Sequence, residues 1–169
     1  MRTLGSGLLL LVLLAAATDL ACVPEDVPGE VVGTYEFEGR LEVNECGSAA
    51  FPAVDTLEMR AELRRDLDMA VWRVPQAPIT YGVVEDDDSY VFTGGGTYPA
   101  YEGCTFVQEE MIAIDGVGEE SPTGETVIRI SVAAGSDCTP SHTVAGGPFL
   151  ALPCEIRWSM DGSAIDPIF

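Results

Sequence analysis

Three observations predict an antiparallel all-β domain, a meander of seven or eight strands forming a closed or partly open barrel. From Val31 onward apolar and polar residues alternate with a period of two, as in strands with one buried and one wet face. The alternating runs are short and separated by turn residues, in a chain with 18 glycines and 11 prolines. No strand–helix–strand rhythm interrupts them, so a parallel sheet is not expected. Closing the sheet removes exposed edges, which makes an up-and-down barrel the natural arrangement for about eight strands. The alternatives are a β-sandwich, or a sheet with one helix at 55–66.

In the first run, Tyr35, Phe37, Leu41 and Val43 alternate with Glu36, Glu38, Arg40, Glu42 and Asn44. Gly39 falls on the apolar face and marks an expected bend or bulge. The segment Leu57 to Arg65 reads two ways. Leu57, Met59, Ala61 and Leu63 alternate with Glu58, Arg60, Glu62 and Arg64 as a strand would. Asp55-x-x-Glu58, however, fits a helix cap, and Met59, Leu63 and Leu67 form a helical stripe. Strict alternation between flanking strands favours the strand, because pairing partners outweigh propensity.

The next runs are Met69 to Val74, bounded by Pro75 and Pro78, then Ile79 to Val84 and Ser89 to Thr93. The last two flank Glu85-Asp86-Asp87-Asp88, a hairpin turn. Thr105 to Ile114 follows, and its alternation slips at Glu109-Glu110, where a bulge is expected. Thr126 to Val132 is rich in Val and Ile. The final run sets Cys154, Ile156, Trp158 and Met160 against Glu155, Arg157, Ser159 and Asp161. The apolar faces of the first and last runs are expected to share one core. Most of these runs are shorter than the roughly 9–11 residues of a membrane-spanning strand.

The chain carries 28 acids against 8 bases, all arginine, for a net charge of −20. That field repels polyanions, so nucleic acid is not an expected partner. With 47% hydrophobic residues, the acidity does not imply disorder.

The amino-terminal residues are built differently. Arg2 is the only charge before Asp19, and Leu8 to Ala17 is an unbroken apolar run. It is too short for a spanning helix, which needs roughly 20 residues, and has the size of a signal-peptide core. Cleavage after Ala15-Ala16-Ala17 would leave Thr18 at the new terminus. Leu20-Ala21-Cys22 resembles the end of a bacterial lipobox, in which the cysteine is acylated and becomes the first residue. Asp19 stands where that family usually has an apolar residue. The resemblance implies an exported lipoprotein precursor, with a signal peptide at 1–21, a Pro- and acid-containing tether at 22–31 and a single β-domain at 32–169. A second resemblance is carried by Gly33-Thr34-Tyr35, which is similar to the Gly-x-Trp of the first lipocalin strand, with Tyr for Trp. It implies a calycin-like barrel.

Five cysteines are an awkward number for an oxidising compartment. Assigning Cys22 to lipid leaves Cys46, Cys104, Cys138 and Cys154 for two disulfides. If the runs before Cys138 and after Cys154 form a hairpin, Cys138–Cys154 closes its loop. Cys46–Cys104 then follows by elimination.

Chemistry-bearing patterns are sparse. His142 is the only histidine, and neither Ser141 nor Ser136 lies in a nucleophile elbow. The cysteines are isolated, unlike zinc or redox motifs. Asp86-Asp87-Asp88 lacks the spacing of a calcium loop. Glu109 and Glu110 would face opposite sides of a strand, and Glu119-Glu120 is one of many acid pairs. No catalytic residue, metal site or cofactor is expected. Tyr35, Phe37, Trp72 and Trp158 are core residues first, and line a ligand cavity if the barrel leaves one.

The function expected is that of a non-enzymatic envelope lipoprotein, membrane-attached through its lipid, that binds a small apolar ligand or an envelope component. The rivals are an integral eight-stranded outer-membrane barrel, since the chain ends in Phe169, and an envelope hydrolase.

Overall fold

The computed structural model describes residues 27–51 and 53–168. The expected signal peptide, Cys22 and most of the tether lie outside the described residues. Eight strands run in chain order: β1 (Glu30–Asn44), β2 (Thr56–Asp66), β3 (Met69–Arg73), β4 (Thr80–Asp86), β5 (Ser89–Tyr101), β6 (Cys104–Asp115), β7 (Thr123–Val132) and β8 (Cys154–Ala164). Each pairs antiparallel with the next, and β8 pairs with β1 to close the barrel. The 57–65 segment is strand, and β1 begins within the last residues of the expected tether.

Tyr35 and Phe37 on β1 face inward with Ala61 and Leu63 on β2, Ala70 and Trp72 on β3, Tyr90 and Phe92 on β5, Ile114 on β6 and Met160 on β8. A second cluster gathers Ile128, Ile130, Ile156 and Trp158 with Leu41, Leu57 and Phe149. The expected single core is therefore two stacked clusters.

Val43 leaves the inner face because β1 is irregular between Leu41 and Val43, which sets Val43 opposite outward-facing Arg157. The expected bulge at Gly39 is not formed. Gly39 pairs regularly with Leu57 and Met160, and a Cβ there would lie 3.2 Å from the Leu57 Cβ, so its role is close packing.

One end of the barrel carries the short turns after β2 and β4 and the loop 116–122. It is sealed. Tyr35 lies beneath Gly33, where an added Cβ would meet its hydroxyl at 2.3 Å. That hydroxyl accepts a 2.7 Å hydrogen bond from the Gly118 N–H. Val117 is buried beside it, its N–H donating to Asp88 O, and Ala164 N–H donates to Glu120 O.

The other end carries the long loops 45–55 and 133–153 and both disulfides. These are Cys46–Cys154 and Cys104–Cys138, not the pairing expected from sequence. Barrel closure sets Asn44 of β1 opposite Ile156 of β8, bringing Cys46 beside Cys154. The loop after β7 folds back over the β5–β6 turn, with Asp137 N–H donating to Gly103 O, and delivers Cys138 to Cys104.

The strands are longer than the sequence runs. Six of the eight have ten or more residues. Strand length therefore does not separate this barrel from a membrane-spanning one. On β1 and β2 the rings and aliphatic chains face the interior while Glu36, Glu38, Arg40, Glu58 and Arg60 face outward, whereas on β4 and β5 the outward-facing Tyr81, Val83 and Val91 are apolar.

Candidate functional site

The barrel wall has a notch, and it follows from unequal strand lengths. β3 has 5 residues and β4 has 7, whereas β5 has 13. β3 pairs with β2 only from Glu62 to Asp66, and β4 pairs with β5 only as far as Phe92. Beyond these limits the wall between β2 and β5 is bridged by the loop 74–79 alone. Pro75 and Pro78 keep that loop out of the sheet, since neither has an N–H to give a ladder. Gln76 takes a left-handed φ of 64° at its bend.

Beneath the loop is a cavity of about 320 Å³. Trp72, Phe92 and Ile112 form its floor, and Val74 and Pro78 its rim. The floor is rigid because an aromatic ladder runs into it from the sealed end. Tyr35 lies 5.8 Å from Phe37, Phe37 stacks on Trp72 at 5.5 Å, and Trp72 meets Phe92 edge-on at 5.5 Å.

The wall opposite the loop is Gly94 and Glu110. These two residues pair across β5 and β6, and Glu110 pairs with Ile128 on its other side. Ile128 and Ile112 face inward, so Glu110 shares their face. Pairing runs without interruption through Glu109 and Glu110 on both flanks. The bulge expected there from the slipping alternation is absent; the slip is an acid standing at an inward position. Gly94 makes room for it. No atom lies within 4 Å of the point where a Gly94 Cβ would sit.

None of the described arginines forms an ion pair with Glu110. They face outward: Arg60 pairs with Glu36, Arg64 and Arg73 with buried Glu62, Arg65 with Asp87, and Arg129 and Arg157 with Glu155. At Glu155 burial opposes ionisation, but the hydrogen bonds and charges of Arg129 and Arg157 prevail and hold its carboxyl below the usual range. At the sealed end, burial pushes the Tyr90 phenol up; its hydroxyl lies near Arg65 without a hydrogen bond of ordinary geometry.

Of the four aromatic residues expected to line a cavity, Trp72 borders this one. Tyr35 and Phe37 belong to the ladder behind it, and Trp158 lies in the second cluster with its indole N–H donating to Val54 O. Phe92, Gly94 and Glu110 were not singled out in sequence as cavity residues. The visible trace of them was the slip at Glu109-Glu110. Ser141 Oγ donates to the Tyr101 hydroxyl, and His142 makes a backbone bridge to Phe149. No group of three or more potential metal ligands occurs among the described residues.

Comparison with known protein families, curated proteins and solved structures gives no match.

Proposed function

We propose that this protein is a non-enzymatic envelope lipoprotein whose barrel binds a small apolar ligand in the notch. The observation that carries the reading is the cavity: about 320 Å³, floored by Trp72, Phe92 and Ile112, with unfilled space over Gly94. That volume is at the small end of ligand pockets, which run from about 300 to 1,000 Å³. An eight-stranded barrel has an interior just wide enough to be filled by side chains or to hold one small ligand, and here the filling stops at the notch.

Export and anchoring rest on the amino-terminal pattern and on the two disulfides, which suit an oxidising compartment. β1 enters at the sealed end, so a lipid on Cys22 would hold that end toward the membrane. The notch would then face away from it, open to the aqueous phase.

Native mass spectrometry of the membrane-extracted protein tests these points together. The reading expects a chain beginning at acylated Cys22, two disulfides and a small bound molecule released on unfolding. A chain beginning at Thr18 with a free Cys22 thiol contradicts the anchor; a protein that carries and takes up no small molecule contradicts the binding role.

A further inference from the structure

We infer that the ligand of the notch is an organic cation: an apolar or aromatic body, small enough for the cavity, bearing a protonated amine. This rests on the proposal that the notch binds a small molecule, and adds to it the charge of that molecule. The cavity is lined mainly by apolar groups with the hydroxyl-bearing Thr80 and Thr93 among them, and its one charged lining residue is Glu110, on the inner face. Glu110 is half-buried there, and a carboxylate is stabilised by a cationic partner at close range. None of the described arginines supplies that partner.

Two further features select the same charge. Trp72 and Phe92 border the cavity as nearly buried rings, and a cation within about 6 Å of an aromatic ring is attracted by its quadrupole. The chain as a whole carries −20, so its field draws cations toward the notch and turns away fatty acids and other anions. An anionic ligand would bring like charge onto Glu110. A neutral ligand would fill the apolar floor and leave the carboxylate without a counter-charge.

Three probes that share one aromatic body and differ in charge make the test: phenethylamine, phenethyl alcohol and phenylacetate, each titrated by calorimetry into the disulfide-intact protein. The alcohol reports binding without a charge. The amine is expected to bind about tenfold more tightly than the alcohol, as one charge-assisted contact implies, and phenylacetate more weakly than either. Glu110→Gln should abolish most of the amine's advantage over the alcohol. As a second variant, Gly94→Ala places a methyl in the open space and should weaken amine and alcohol together.

Equal affinity for amine and alcohol in the unaltered protein, or a preference that survives Glu110→Gln, overturns the charge assignment and leaves the cavity standing. Failure of all three probes to bind removes the cavity reading and this inference with it.

Discussion

The two ends of the barrel are held together by different means. At the sealed end, Tyr35, Phe37, Tyr90 and Met160 are almost fully buried, and the loop 116–122 is hydrogen-bonded across the opening. At the open end the strands end unevenly, Gly94 faces empty space and the long loops carry both disulfides. The notch deprives its walls on β3, β4 and β5 of packing partners, while the disulfides lie elsewhere at that end, with Cys46 and Cys154 buried in the second cluster. Packed side chains and hydrogen-bonded loops close one end, while at the other the shortness of β3 and β4 leaves room for a cavity.

Removing the disulfides should give the largest effect. Cys46–Cys154 spans 108 residues and Cys104–Cys138 spans 34. In the chain-entropy model the double Ser variants lose about 5 and about 4 kcal/mol, respectively. Denaturant midpoints of the two variants check both the size and the order. The packed end should respond nearly as strongly, with Phe37→Ala losing about 3–5 kcal/mol in the same assay, because its surroundings are interlocked rings that cannot collapse into the void.

Tyr35→Phe keeps the ring and removes the acceptor for Gly118 N–H. It should lose about 1–3 kcal/mol and speed hydrogen exchange at Gly118 selectively. The smallest effect is expected at Glu155, beside the Cys46–Cys154 bridge. Its carboxyl titrates lower in the folded protein, so its stabilisation is present above the unfolded value and is lost as pH falls through the folded one. Glu155→Gln should flatten that part of the pH–stability curve by less than about 1 kcal/mol, since its arginine partners are substantially exposed.

The sealed end was more legible in sequence than the open one. Tyr35, Phe37 and Met160 announce their inward faces through strict alternation, a local signal. The same signal correctly makes 57–65 a strand despite its helix-favouring composition. The open end depends on what alternation does not encode. β5 continues through Gly94-Gly95-Gly96 to Tyr101, and glycines have no side chains to register a period. Glu110 breaks the pattern by facing inward, which from sequence looks like a bulge. The disulfides follow from β8 meeting β1, a pairing of the two extremes of the barrel that no local argument reaches. Trp72 and Trp158 look alike in sequence; which of them borders a cavity is decided by the shortness of β3 and β4.

The difference between those two tryptophans provides the most direct test of the binding role. Trp72 floors the cavity, whereas Trp158 lies in the second cluster with its N–H bound to Val54 O. In a proton–nitrogen correlation spectrum of the oxidised protein, the two indole N–H signals can be followed separately while phenethyl alcohol is added. The account predicts a saturable shift of the Trp72 signal with that of Trp158 unmoved. A Trp72 signal that stays fixed at millimolar probe, or a shift at Trp158 in its place, would contradict it.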